Sequence, residues 1–595
     1  TIDDIVVSGL PQATDFLEQW AEKNVWQRDD GMFFIGAAEG DSISLTDIDT
    51  QGTSSAAKSD FKQLKPNGGV RRLIATALVQ FQLIDPDLSR RETAVASIAR
   101  RPAAAQLGPL LASIEPEVDV ALKARKIQLA NFLSARFAED AQDRITAINS
   151  LSSDTSVEAR AVLNQILNTK TGVAKSLPDG NIATQFDPMK APDASYAALV
   201  EAGFAPAKQT SAEIKSALEA NIADGRIGGF ALTQMNDPAN REAAYAALAA
   251  DGVVPVLITE TVRDAALYEH VFYEMYDEAN VEITTAAQTT LDAVESRVGT
   301  AQTVDLTLDA LSLASIFFLA AIGLAITFGV MGVINMAHGE FIMMGAYTGY
   351  VVQLFITNYT LSLIVALPLA FVVTFGAGVM MERLVIRRLY RRPLETLLAT
   401  FGISIALQQL AKNIFGTQAR PLTSPDWLAG AWVLNDVIQI SYIRIAIFVL
   451  ALMFLGLIIY ILKRTRLGLE VRAVTQNPGM ASSMGINPDR INMMTFGLGS
   501  GIAGIAGVAI GLYAKVTSEM GSDYIVQSFM TVVVGGVGNV WGTLAGAAMI
   551  GFGQKGIEWL NPSNTLAAQT YMILFVILFI QFRPKGIVAL KGRAA

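Results

Sequence analysis

From residue 307 to residue 583 the chain is a succession of apolar blocks, each near the ~20 residues that a helix needs to cross a bilayer. They run over 307–330, 338–357, 360–382, 395–416, 441–462, 494–514 and 567–583. In hydrocarbon every backbone polar group must find its partner inside the protein, so blocks of this kind fold as helices. A further apolar stretch, 522–558, is interrupted by GGVGNVWG (535–542) and reads as a re-entrant hairpin of two short helices. The expected class is therefore a polytopic α-helical membrane protein with about seven or eight spans plus that hairpin.

Charge separates this region from what precedes it. Residues 301–595 hold 19 Lys/Arg and 12 Asp/Glu, a net +7, whereas residues 1–300 hold 26 and 42, a net −16. The basic residues cluster in three places: Arg383, Arg387, Arg388, Arg391 and Arg392 after the third span; Lys463, Arg464, Arg466, Arg472 and Arg490 after the fifth; and Arg583, Lys585, Lys591 and Arg593 at the end. Short loops rich in Lys and Arg stay in the cytoplasm. That rule puts the C-terminus inside and residues 1–300 outside, in a multi-pass inner-membrane arrangement. The chain starts at Thr1 with no Met and no apolar leader, and removal of an export signal is the expectation.

The acidic half has its own pattern. Helical spacing of Ile5, Leu10, Phe16, Leu17 and Trp20 covers 2–25, and GMFFIGAAEGDSISLTDI (31–48) reads as a β-hairpin. From Val70 to Leu167 the period is helical, and LLASIEPEV (110–118) and INSLSSDTSV (148–157) recur 37 residues apart, close to the repeat of HEAT-type helical pairs. Residues 169–195 read as a linker. Beyond them a helix over 239–252, a buried strand over VVPVLITET (253–261), and helices over 262–276 and 285–298 are expected. The division is 1–168, a hairpin plus HEAT-like helices; 169–300, a linker and α/β extension; and 301–595, the membrane domain. His270 reads as part of a packed Tyr-rich helical face, and Glu274, Asp277 and Glu278 as a solvated acidic face.

Three features of the membrane half bear on chemistry. Phe328–Tyr350 carries Asn335, His338 and Glu340 among glycines, Gly339 included. Such side chains at membrane depth face a bundle interior or a water-filled path. Thr400, Ser404 and Gln408 recur at i, i+4, i+8 on one face of the fourth span. That polar stripe suits either a path for a small hydrogen-bonding solute or contacts between packed helices. Gly535, Gly536, Gly538 and Asn539 form the hairpin turn, and GVGNVWG resembles GVINMAHG (332–339). Loop 463–492 holds two short helical phrases around Asn477-Pro478-Gly479, which suits docking in another subunit or a solvated loop.

Several functions are excluded. With no cysteine there is no disulfide or thiolate chemistry. No G-x-x-x-x-G-K-[ST] phosphate loop occurs, so the chain does not hydrolyse ATP by that route. No catalytic constellation stands out in the acidic half, which suits docking a partner or stiffening an assembly.

INMAHGEFIMMGAY (334–347), LLATFGISIALQQLAKNIFG (397–416), EVRAVTQNPGMASSMGI (470–486) and VVVGGVGNVWGTLAGAAMIG (532–551) resemble the membrane permeases of branched-chain amino-acid-type ABC importers. The hairpin followed by GGVRRLIATALVQFQLIDPDLSRRETAVASI (68–98) and helical pairs is similar to the extracytoplasmic extension of the urea-importing permeases of that family. The resemblance implies a path for urea that alternates its access, shared with a second homologous permease. It also implies a periplasmic urea-binding protein and two cytoplasmic ABC ATPases, on which ATP and Mg would sit; this chain itself binds no cofactor. The path would be lined by Asn335, His338, Gly339, Glu340, Thr400, Ser404, Gln408, Gly535, Gly536, Gly538 and Asn539, with His338 and Glu340 holding the turn or gate. The segment docking an ATPase would present Glu470, Arg472, Asn477, Pro478, Ala481, Met484, Gly485 and Ile486. Import of branched-chain amino acids or short-chain amides, a passive urea channel, and a sensory role for the acidic half are the alternatives.

Overall fold

The computed structural model describes residues 2–8, 10–40, 42–390 and 392–588, so Arg391, Lys591 and Arg593 of the basic clusters lie outside the described residues. The chain forms two compact units, residues 1–297 and 298–595.

The first unit begins with α1 (Ile2–Val7) and α2 (Ala13–Ala21). The expected single helix is two, with Pro11 in the intervening turn. Strands β1 (Val25–Arg28), β2 (Phe33–Glu39), β3 (Ser42–Asp47), β4 (Thr53–Ala57) and β5 (Phe61–Gln63) form an antiparallel sheet in the order β4-β3-β2-β1-β5. The predicted hairpin is β2–β3, and Trp26, Phe34, Ile43 and Leu45 bury one face of this sheet.

Three helical pairs follow: α3 (Gly68–Gln82) with α4 (Leu88–Arg100), α5 (Leu107–Ala112) with α6 (Val120–Phe137), and α7 (Ala141–Ser150) with α8 (Val157–Ile166). The second helix of each pair starts on a side-chain cap, supplied by Asp87, Asp119 and Ser156 in turn. The two recurring phrases are the turns that lead into the last two of those caps. Between the pairs lies a buried ionic triad. The Glu117 carboxylate accepts from Arg91 Nε and Nη2 (both 3.0 Å) and meets Lys126 Nζ at 2.8 Å. That ammonium also donates to the carbonyls of Leu83 (2.9 Å) and Ser113 (3.1 Å).

The rest of the unit departs from expectation in instructive ways. Its elements are β6 (Thr169–Ala174), β7 (Ile182–Gln185), α9 (Pro192–Glu201), α10 (Ser211–Ala220), β8 (Arg226–Ile227), β9 (Phe230–Ala231), α11 (Pro238–Ala250), α12 (Glu260–Tyr268) and β10 (Val271–Tyr276). The segment read as a linker holds β6 and β7, the two edges of an antiparallel sheet with β10 at its centre. Edge strands carry little apolar signal of their own, and these two look like loop by composition. Residues 271–276, expected to be helix, are that central strand, where β-branched and aromatic residues are favoured. His270 sits at the end of α12, with Nδ1 2.8 Å from the Ala266 carbonyl and its ring 5.0 Å from that of Phe204. The acidic run is paired rather than merely solvated: Asp277 meets Lys170 at 2.6 Å and Glu278 meets Arg144 at 2.7 Å.

The strand expected over 253–261 does not form. Pro255 has no N–H to give a ladder, and the Gln209 side chain takes the partner's place, donating to the Val256 carbonyl (3.1 Å) and accepting from Ile258 N (3.0 Å). Gln209 and Ile258 are equivalent positions in an internal repeat of 49 residues that the sequence reading missed. Tyr196 and Tyr245 are buried, Gly203 and Gly252 have φ of 77° and 72°, and Thr210 and Thr259 cap the helices that follow.

The second unit is the membrane bundle. Helix α13 (Val281–Met331) starts in the first unit and ends here. It is followed by α14 (His338–Phe355), α15 (Tyr359–Leu384), α16 (Pro393–Phe415), the short strands β11 (Ala431–Val433) and β12 (Gln439–Ser441), and α17 (Tyr442–Arg464). Then come α18 (Arg466–Gln476), α19 (Pro478–Ser483), α20 (Pro488–Tyr513), α21 (Met520–Gly535), α22 (Val540–Leu560) and α23 (Thr565–Phe582). Among the described residues six helices are long and apolar enough to cross a membrane, and a seventh crossing counts if the bent pair α21–α22 is one span. Helix α14, which replaces the span expected over 338–357, is not among the six.

Helix α20 lies in the middle of the bundle against α14 and α15, and contact there is backbone to backbone. A Cβ on Gly345 would run into the Gly504 backbone, and one on Gly507 into the Ile342 carbonyl. Small residues that let helices approach this closely are the usual basis of packing in lipid. The described members of the three basic clusters gather at one end of the unit. Arg387 Nη2 donates to the Asp489 carbonyl (3.4 Å), which ties the end of α15 to the start of α20. Ile587 N and Val588 N donate to the Val534 and Gly535 carbonyls, which ties the tail after α23 to the hairpin turn.

Candidate functional site

The first candidate region is where the chain leaves α13. Gly332 takes φ of 66°, residues 332–337 run without helix, and α14 starts at His338. His338 Nε2 is 3.0 Å from the Ala320 carbonyl, 11 residues back from the end of α13, or roughly 16 Å along the helix. Helix α14 therefore begins deep inside the bundle. Asn335 Oδ1 accepts from Ala337 N (3.0 Å) and closes the turn that leads into α14, and Met336 N donates to Thr400 Oγ1 (3.1 Å).

Glu340 is the centre of this region. Its Oε1 accepts from Ser404 Oγ (2.8 Å) and from Gln408 Nε2 (2.9 Å), and Gln408 also donates to Ser522 Oγ on α21. Ser404 stands midway along α16, so the network lies at mid-depth. Gly339 and Gly521 touch through backbone, which brings the Glu340 carboxylate against the start of α21. Asn335, His338, Glu340 and Thr400 are each at most 2% exposed. Three buried polar atoms here have no hydrogen-bond partner: Asn335 Nδ2, His338 Nδ1 and Glu340 Oε2. Among the described residues no cation pairs with Glu340. The cluster thus offers one carboxylate, two amides and three hydroxyls, with hydrogen-bonding capacity left over and no fixed positive charge.

Seven of the expected path residues meet in this cluster: Asn335, His338, Gly339, Glu340, Thr400, Ser404 and Gln408. The other four do not. Gly535, Gly536, Gly538 and Asn539 form the hairpin turn at the end of the unit that carries α18. Helices α21 and α22 bend by 118° there, Gly536 and Gly538 take φ of 108° and 78°, and Asn539 caps α22 by accepting from Trp541 N and Gly542 N. Both glycine-bounded turns thus hold an Asn whose side-chain oxygen accepts from backbone two residues on, but only Asn539 caps a helix. The turn lies deeper than a shallow re-entrant tip because α22 keeps 21 helical residues, a rise of roughly 31 Å.

The sequence reading missed the polar face of α21. Ser522 joins the network, and Gln527 Oε1, Ser528 Oγ and Thr531 Oγ1 are buried without partners. Its signal was present as spacing, Ser528 and Thr531 being i and i+3, within a segment read only for its glycine break.

The second candidate region is the α18–α19 turn. Val471, Val474, Ala481 and Ile491 are buried on Val330, Leu462 and Leu467, which seats this helix pair on the ends of α13, α17 and α20. Asn477 caps α19 by accepting from Met480 N (2.9 Å), and Pro478 follows at its first position. Of the expected docking residues, Arg472, Asn477, Pro478, Met484 and Gly485 are exposed, Glu470 and Ile486 are half-buried, and Ala481 belongs to the seat. Glu470 is paired with Arg466 at 2.7 Å. Behind α18, between it and the hairpin turn, is a cavity of about 340 Å³.

Residues 306–581 match the family described as "Branched-chain amino acid transport system / permease component". The membrane unit is similar to branched-chain amino acid permeases. The high-affinity branched-chain amino acid transport system permease protein BraD of Pseudomonas aeruginosa is 29% identical over 290 residues, 47% of this chain and 92% of that protein. LivH of Escherichia coli K12, described in the same words, is 26% identical over 287 residues, 46% of this chain and 92% of that protein. The fructose import permease protein FrcC of Rhizobium meliloti is 27% identical over 196 residues, 31% of this chain and 54% of that protein. BraD and LivH are almost wholly used up by their matches, which leaves no length in them for a counterpart of residues 1–297. No solved structure matches.

Proposed function

We propose that this chain is a membrane permease subunit of an ATP-driven importer for branched-chain amino acids. The observation that carries the reading is the similarity over 306–581 to permeases of that description, joined to a buried polar cluster at mid-depth. The chain would work beside a second permease, with two ATPases on the α18–α19 side and a binding protein on the other. ATP and Mg would belong to the ATPases. Alternation of access would exchange the Glu340–Ser404 and Glu340–Gln408 hydrogen bonds, which join α14 to α16, for bonds to the passing solute. In a closed bundle those groups hold one another; in an open one they would face water or cargo.

Urea is the second reading, and one observation favours it. The cluster presents amides, hydroxyls and a carboxylate with no cation to match an amino acid's carboxylate, which suits a small neutral N–H donor. The test is ATP-driven uptake of labelled leucine and of labelled urea by vesicles holding this chain with its partner subunits. Leucine uptake supports the first reading and urea uptake alone replaces it with the second. Uptake of either that continues without ATP would sink the pump mechanism.

A further inference from the structure

We infer that the cavity behind α18 is a binding site for an anionic phospholipid. Its walls are apolar: Ala325 and Ile326 of α13, Ile459 and Leu462 of α17, Val471 of α18 and Val540 of α22. Its polar lining includes two cations, Lys463 and Arg472, with the half-exposed indole of Trp541 beside them. Neither cation has an ion pair among the described residues. Arg472 Nε is turned back along its own helix to the Gly468 carbonyl (3.2 Å).

The position decides the class of ligand. Helix α17 ends at Arg464 after 23 residues, mostly apolar, so Lys463 stands where the hydrocarbon gives way to headgroups. Tryptophan favours that same level. An apolar slot with two cations and an aromatic edge at this depth fits an acyl chain that carries a phosphate. A soluble anion would leave the apolar walls unused, and a neutral lipid would leave both cations unmatched. Bound there, the lipid would bridge α17, α18 and the hairpin turn. The site lies on the α18 side that the proposed function gives to the ATPases, and lipid retention is read with neither cargo nor ATPase present.

The experiment uses the full chain in nanodiscs of phosphatidylcholine with or without phosphatidylglycerol, read by native mass spectrometry and by amide exchange over 459–476 and 536–545. Phosphatidylglycerol is expected to be retained selectively and to slow exchange in both segments. Each cation removed should weaken retention by roughly fivefold, so Lys463→Ala with Arg472→Ala should nearly abolish the selectivity. Ala325→Phe, which fills the slot, should lower retention with both cations intact. Equal retention of phosphatidylcholine by the unaltered chain would overturn the proposal without recourse to any variant. So would the same protection from inorganic phosphate alone, or undiminished selectivity in the doubly substituted protein.

Discussion

A carboxylate buried in a membrane bundle persists only where donors satisfy it, and Glu340 has two, Ser404 and Gln408, on one face of α16. Removing the acceptor strands Ser404 and leaves Gln408 with Ser522 alone, and an unmade bond to a buried group costs about 1–3 kcal/mol. Glu340→Ala should therefore lower the thermal midpoint of the purified protein and cut ATP-driven uptake by at least about tenfold. Glu340→Gln retains the shape and one acceptor oxygen, so it should melt nearer the unaltered protein while uptake still falls. A melt and an uptake assay on both variants check this, and unchanged uptake in both would remove Glu340 from the path. The stripe on α16 was legible because a 3.6-residue period puts Thr400, Ser404 and Gln408 on one face. What they face was not legible: spacing shows that a stripe points inward, whereas its partner, 64 residues away at Glu340, is a matter of how helices cross.

At the scale of elements, glycine separates helices that touch from helices that do not. Gly345 and Gly376 both lie inside membrane helices, yet a methyl at 345 meets the Gly504 backbone and one at 376 meets nothing within 4 Å. Gly345→Ala should push α14 off α20 and lower both folded yield and thermal stability. Gly376→Ala should be neutral or raise stability by up to about 1 kcal/mol, since alanine is the better helix former. Thermal melts of the two variants side by side test the packing, and equal behaviour would contradict it. The α18–α19 pair makes a parallel contrast between seat and surface. Val474→Asp should unseat the pair and destabilise the bundle, whereas Met484→Asp, on an exposed side chain, should leave the melt unchanged and abolish stimulation of the partner ATPase by cargo. Stimulation that survives Met484→Asp would place docking elsewhere on the pair. These elements were readable because Asn, Pro and Gly mark caps and breaks by local chemistry. Strands β6, β7 and β10 were not, since a strand is defined by a partner that can lie, as here, about 100 residues away.

Over the whole molecule, two units with separate cores are held by different forces, and acid should separate them. The membrane unit rests on apolar contact and glycine packing, with few carboxylates. The first unit is acidic and has an ionic triad at the heart of its helical pairs. Burial alone would raise the Glu117 carboxyl, but hydrogen bonds from Lys126 and Arg91 outweigh it and hold it at about 2. A carboxyl depressed in the folded state stabilises fully above its ordinary value near 4.5, and that contribution is lost as pH falls towards 2. Protonation also leaves Lys126, 1% exposed, beside a neutral partner in a dry site. Amide exchange of the full chain, followed from pH 6 to roughly pH 3 and taken relative to the free-amide rate at each pH, should show protection lost across 107–137 while 494–513 keeps it. Glu117→Gln should show the weaker protection already at neutral pH, with protection that changes little with acid in this window. If the unaltered chain kept residues 107–137 protected at the low end, the triad would not be what holds the helical pairs together.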